Sequence, residues 1–284
     1  MIFKGSHQIR YSYSLPVFLE PHVLRLRPRN DACQQVREFS MNIEPQPAGS
    51  HDFLDAEGNL AITLWFEETT DLLVISTSFE VQTFCVNPFG FLVTDNSFYQ
   101  LPARYTNSDS AVLATFFETV DDPGCEIEAF IKPLFKKAAG NTLDFLVILN
   151  TAIYENFSVE IRDEGPPLPP VSTCRRKKGS CRDIAVLFIT ACRSVGLAAR
   201  FVSGYQEGDR DMDLRHLHAW AEVYIPGGGW RGYDPTHGLA VADRHIVLAA
   251  SCRAMGAAPV TGSFRGTGST ASMEYSINLR SIPE

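Results

Sequence analysis

Two hydrophobic periodicities divide the chain. Near its start Ile9, Tyr11, Tyr13 and Leu15 alternate with Arg10, Ser12 and Ser14, and Leu24 and Leu26 alternate with Arg25, Arg27 and Arg29. A two-residue repeat of this kind marks half-buried strands. Residues 60–69 and 72–84 are rich in Val, Ile, Thr, Phe and Trp, and Thr70-Asp71 is the expected turn between them. Proline and glycine punctuate the stretch at 45–49 and 88–90. The pattern predicts an antiparallel β domain over residues 1–100, a small sandwich.

Beyond residue 100 the period lengthens. Asp121-Asp122-Pro123-Gly124 signals a turn. From Thr142, Leu143, Leu146, Val147, Ile153, Tyr154 and Phe157 fall at helical spacing, with Asn150 as the polar exception. The run Gly165-Pro166-Pro167-Leu168-Pro169-Pro170 suits neither a helix interior nor a central strand, and reads as a semi-rigid loop. Ile184, Leu187, Phe188, Ala191 and Val195 then make one apolar helical face, which Gly196 is placed to end. A strand-like run, Leu197–Tyr205, is followed by an acidic loop from Glu207 to Asp213 and a second strand across His218–Ile225. Pro226-Gly227-Gly228 turns that strand back through Trp230 to Asp234. Residues 101–284 are therefore expected to form an α+β core with C-terminal strands.

Length and composition narrow the class. With 284 residues the chain suits two domains at about 150 residues each. The hydrophobic fraction of 45% can fill a core, which excludes disorder as the main state. Net charge is −8 with no long basic block, which argues against nucleic acid or an anionic membrane as partner. No run of about 18 apolar residues suggests a spanning helix. The opening residues lack a basic-then-apolar leader, so a cytoplasmic location is expected. Seven cysteines without a close framework fit reduced thiols, and pairing of Cys174 with Cys181 is disfavoured on the same ground. No tight zinc-binding spacing is present.

One segment concentrates chemistry. Ser180 and Asp183 have capping-box spacing, which puts Cys181 in the first helical turn. Unpaired backbone N–H groups there favour an anion, either a thiolate or the oxyanion of an acyl-transfer step. The alternative is a packed cysteine closing a helix end. Alternation puts His218, Trp220, Glu222 and Tyr224 on one face of their strand. With a three-residue hairpin loop, Trp220 faces Asp234 and His218 becomes the diagonal neighbour of that carboxylate. Cysteine, histidine and aspartate in this order are what nucleophilic acyl transfer needs.

At these residues the chain resembles the bacterial transglutaminase-like superfamily, whose core is papain-like. The resemblance lies in Gly179–Asp183, Arg193–Tyr205, His218–Val223 and Asp234–Thr236, and spans roughly residues 140–250. The opening strands resemble the β domain that precedes the core in one bacterial subgroup, and Asp243-Arg244-His245-Ile246 with residues 272–280 resembles its C-terminal part. The resemblance implies Cys181 as nucleophile, His218 as base and Asp234 as orienting acid, with no cofactor. Two departures touch substrate preference: Arg182 stands where a glutamine is expected, and Ala249–Met255 is looser than the family pattern.

Family members hydrolyse peptides, deamidate amides or transfer acyl groups to amines. Hydrolysis of a peptide or amide is the favoured reading here, with cross-linking second; no loop of the D-x-D-x-D-G calcium type is present. Tyr154 is a candidate oxyanion donor, and Arg182 and Trp220 are candidates for the substrate cleft. A metal site from His216, His218, His237 and Asp234 lacks a fixed third ligand and leaves Cys181 unused. A non-catalytic binding module on the same fold is the third class. The sequence does not specify the oligomeric state.

Overall fold

The computed structural model describes residues 1–119, 124–162, 165–208 and 215–282. Six strands come first: β1 (Ile2–Leu19), β2 (His22–Leu24), β3 (Gln34–Glu44), β4 (Gly49–Leu54), β5 (Leu60–Trp65) and β6 (Thr69–Thr83). The alternation of β1 buries Phe3, His7, Ile9 and Tyr13 in turn. It breaks after Ser12, where the pairing with β6 shifts register; Leu15 is exposed while Val17 and Leu19 return to the interior. Thr70-Asp71 lies inside β6 instead of forming the expected turn, because the chain bends at Glu67-Glu68 to pass from one sheet to the other.

Helices then enter: α1 (Asn107–Val112), α2 (Gly124–Lys137) and α3 (Thr142–Asn156), followed by β7 (Ser158–Val159), α4 (Pro170–Arg176), β8 (Lys178–Gly179) and α5 (Cys181–Ser194). The core sheet comprises β9 (Ala199–Gln206), β10 (His218–Ile225), β11 (Gly229–Asp234), β12 (Leu239–Ala240) and β13 (His245–Ser251), in the antiparallel order β12-β11-β10-β9-β13. Helix α5 packs on this sheet through Ile184, Leu187, Phe188 and Ala191, all buried in one cluster with Phe145, Leu149, Phe201 and Tyr233. Gly196, at φ 82°, ends α5 in the left-handed conformation, which an L side chain adopts only with strain. The turn expected at Asp121-Asp122-Pro123 and most of the acidic loop, residues 209–213, lie outside the described residues.

The last strands are β14 (Val260–Thr261), β15 (Phe264–Arg265) and β16 (Ala271–Ile282). They do not extend the core as expected. β16 pairs antiparallel with β1 from Ile2↔Ile282 to Tyr13↔Ala271, and β14 pairs with β2. The physical reason is that β1 has β6 on one side only, leaving a long edge for another strand to satisfy. The two sheets, β15-β1-β6-β3 with β16 and β14-β2-β5-β4, enclose Ile9, Tyr13, Leu24, Leu64, Leu73 and Ile75, giving a sandwich built from both ends of the sequence. The β unit also ends earlier than residue 100: Val93, Phe98 and Leu101 are buried in the helical core.

The two units share an interior. Phe3, Phe79, Val81, Ile277 and Leu279 of the sandwich are buried against Tyr205, Ile246 and Leu248 of β9 and β13. Beyond this contact, two side-chain amides line the outer edge of β13. Gln34 accepts from the Val247 N–H at 2.7 Å and donates to its carbonyl at 2.9 Å, and Asn59 makes the same pair of bonds with Ala250. No helix among the described residues is long and apolar enough to cross a membrane.

Candidate active site

Cys181 is the first residue of α5. The carboxylate of Asp183 turns back toward the helix start, where its Oδ2 accepts from the Ser180 backbone N–H and the Ser180 hydroxyl, each at 2.8 Å. Its Oδ1 accepts from the Leu168 N–H at 2.7 Å and from Arg162 at 2.6 Å, tying the proline-rich loop to the helix start. Burial alone would raise the Asp183 pKa, but these bonds outweigh it and hold the carboxyl below its ordinary value. The result is a fixed N-terminal turn with Cys181 half-buried at its mouth.

The β10–β11 hairpin has the expected register, with Ala221 opposite Tyr233 and Ile225 opposite Gly229. Extended by one position, this brings the face of His218 and Trp220 to Asp234. His218 Nε2 lies 2.8 Å from Asp234 Oδ2, and the Cys181 thiol is near enough to the same ring to act on its charge. The three residues singled out in the sequence thus meet. Burial by itself pushes His218 down, but the charge and hydrogen bond of Asp234, with Cys181 on the other side, carry it up to about 10.

Asp234 is wholly buried and collects more donors than one base supplies. Its Oδ2 also lies 2.8 Å from His237 Nδ1 and 3.1 Å from His245 Nε2, while Oδ1 accepts from the backbone N–H groups of Thr236 and His237. Burial would raise this carboxyl; the charge of His218 and the three imidazole bonds overcome that and hold it well below its ordinary value. His245 is itself lowered by burial, against the pull of Asp234. Sequence reading missed His245 as part of the site: it opens an apolar strand eleven positions beyond the aspartate, a spacing that carries no signal of contact. His237 had entered only as a metal ligand.

The other candidates divide. Trp220 lines no open cleft: it has no solvent exposure and packs behind His218 and His245, at ring separations of 6.0 and 5.2 Å. Arg182 is hydrogen-bonded to the Arg162 carbonyl, beside the nucleophile. Tyr154 is 54% exposed on α3 and its ring lies against Gly238, in the turn that follows Asp234. His216 is bonded to Tyr275 instead and is not part of the group, so the metal set weighed and disfavoured from the sequence does not assemble around it. His218, Asp234 and His245 have ligand atoms within 4.8 Å of one another, spaced as hydrogen bonds. Cys174 and Cys181 are both free thiols.

The remaining motif residues have structural work. Glu222 forms a buried ion pair with Arg200 through Nε at 2.7 Å and Nη2 at 2.6 Å, and Arg200 stacks over Trp230. Arg193 donates from the end of α5 to the carbonyls of Ala199 and Cys252.

Residues 4–82 match the bacterial transglutaminase-like N-terminal region, and residues 130–235 match the core of the transglutaminase-like superfamily. The chain belongs to the transglutaminase-like superfamily. This transglutaminase-like protein is 24% identical over 279 residues to an uncharacterised protein of Mycobacterium leprae, covering 93% of each chain. It is 28% identical over 262 residues to an uncharacterised protein of Mycobacterium tuberculosis, covering 87% of this chain and 82% of the relative. A shorter stretch, 71 residues at 34% identity, matches the protein-glutamine gamma-glutamyltransferase of Pseudomonas aeruginosa, covering 22% of this chain and 11% of that one. Among solved structures, a candidate cysteine protease from Cytophaga hutchinsonii superposes with a TM-score of 0.73 at 20% identity, covering all of this chain and 92% of the other. That likeness extends the shared fold through both units of the transglutaminase-like protein.

Proposed function

We propose that the protein is a cysteine-dependent acyl-transfer enzyme that hydrolyses a peptide or amide bond through a thioester on Cys181. The observation that carries this reading is the placement of His218 between Cys181 and Asp234, with Nε2 committed to the carboxylate at 2.8 Å. The other ring nitrogen is left for the thiol. Cys181 Sγ, its proton taken up by His218, attacks the carbonyl carbon, and the first-turn N–H groups of α5 stabilise the developing oxyanion. His218 delivers a proton to the departing amine, and the C–N bond breaks to leave the thioester. Water then attacks with His218 as base, releasing the acid and restoring the thiol.

Alkylation of each cysteine followed against pH by mass spectrometry, in wild type and His218→Ala, tests the reading. A free thiol reacts poorly below a pKa of about 8.5. Cys181 is expected to react fast near pH 6 and to lose that advantage in His218→Ala. If Cys181 behaves like the other cysteines, a non-catalytic binding module on this fold becomes the better description.

A second outcome, transfer of a glutamine acyl group to an amine, draws support from the stretch shared with the Pseudomonas gamma-glutamyltransferase. The same thioester serves both, and the nucleophile that reaches it decides. Incorporation of a fluorescent primary amine into a glutamine-containing protein, measured beside peptide hydrolysis, separates the two.

A further inference from the structure

The carboxylate that faces His218 is held by two further imidazoles, and these two are not equivalent. His237 follows Asp234 by three positions on the same turn and its side chain is 41% exposed, so it moves with the residue it contacts. His245 is buried and comes from β13, a separate strand on the far side of β9 from His218. It gives Asp234 a reference point outside its own hairpin. At the level of Gly204, which pairs with both His218 and Val247, the intervening strand has no side chain. A Cβ there would meet the Ile246 carbonyl at 2.1 Å and Trp220 at 2.6 Å. The rings of His218 and His245 therefore stand 6.4 Å apart with Trp220 packed behind both.

The protonation pattern at His245 is one-directional. Burial disfavours the charged ring, and because a carboxylate only accepts, Nε2 carries an N–H that points to Asp234. Its Nδ1 is buried with no hydrogen-bond partner among the described residues. An unpaired buried acceptor costs stability that a phenylalanine or leucine at this position would avoid. Packing alone does not account for a histidine here, whereas a donor required at Asp234 does. β13 is in turn fastened by Gln34, whose amide makes two bonds to Val247, and by the Arg29 N–H, which donates to the Val247 carbonyl at 3.0 Å.

We infer that His245 is a positioning residue for the reaction proposed above, fixing through its Nε2–H the Asp234 carboxylate that orients His218. The inference rests on that reading of Cys181, His218 and Asp234. It makes the sandwich, which holds β13 in place, part of what aligns the site.

The experiment is a rate cycle on Cys181 alkylation by iodoacetamide near pH 6, resolved by mass spectrometry, with the urea midpoint of each variant measured in parallel. His245→Phe fills the space without a donor and is expected to slow Cys181 by about tenfold, the lower end of what a hydrogen bond to a charged group supplies. His245→Gln, whose amide nitrogen can occupy the Nε2 position, is expected to keep most of the wild-type rate. Added to His218→Ala, His245→Phe is expected to cause no further loss, because its effect passes through His218. If His245→Phe does not fold, His245→Asn, whose shorter amide cannot reach Asp234, replaces it in the comparison with His245→Gln. An unchanged rate in the donor-less variant overturns the inference, as does an equal loss in the His218→Ala background. If His218→Ala itself leaves the rate unchanged, the proposed reaction falls first and the inference with it.

Discussion

Asn59 and Ala250 exchange two hydrogen bonds of 2.8 Å, amide N–H to carbonyl and backbone N–H to amide oxygen. A single side chain thereby stands where another strand would pair with the edge of the core sheet. Both residues are buried, so removing the amide strands two backbone groups without water. Asn59→Ala is expected to lower unfolding stability by about 2–4 kcal/mol, read from urea midpoints at unchanged slope. A loss under about 0.5 kcal/mol would show that the amide is dispensable to β13.

The pH dependence of stability follows from His218. In the folded protein its pKa lies at about 10, against an ordinary 6.5, so the native state holds the extra proton between those values. The stabilisation from its contact with Asp234 is full below pH 6.5 and is lost as pH rises through 10. Asp234, held low, acts at the acid end: its contribution is present above its ordinary 3.8 and is lost as pH falls through the folded value. Thermal midpoints of wild type are therefore expected to fall more steeply between pH 6.5 and 10 than those of His218→Gln. Parallel curves would sink this account.

Much of this site is legible in the amino-acid order, because its pieces are local. The helix start at Ser180–Asp183 depends on a four-residue cap, and the meeting of His218 with Asp234 depends on the length of one hairpin loop. His245 is different. Its contact with Asp234 exists only because β13 joins the sheet beyond β9, and strand order across a sheet leaves no trace in residue spacing. The same holds for residues 271–282, whose alternation marks a strand without saying that its partner lies some 270 positions earlier. Trp220 shows a further limit. Its face was readable from alternation, but whether that face opened on solvent or on His245 was not.

Gly204 is where space decides. A methyl group on its Cα would overlap the Ile246 carbonyl, a backbone atom with little freedom, as well as the Trp220 ring. Gly204→Ala is expected to cost about 3 kcal/mol, the upper part of the range for overpacking, and to slow Cys181 alkylation as β13 is forced outward. Urea denaturation together with the alkylation rate checks both parts. A folded variant of wild-type stability would mean that the strands can part at this point without strain.

The ion pair of Arg200 and Glu222 offers a cleaner separation of stability from reactivity. Glu222→Ala leaves a buried guanidinium without its carboxylate and is expected to cost about 3–5 kcal/mol. Arg200→Met combined with Glu222→Leu removes both charges and is expected to recover most of that loss. Urea midpoints of the single and double variants give the answer, and a double variant as unstable as Glu222→Ala would contradict it.

The pairing of β16 with β1 has a consequence for how the protein is made. The first strand leaves the ribosome with one of its edges waiting for residues about 270 positions downstream. Until those residues emerge, β1 carries an open hydrogen-bonding edge while the helices and the core sheet are already able to collapse. The sandwich thus begins ahead of the core and closes only after it, and the strand bearing His245 obtains its finished support only at that moment.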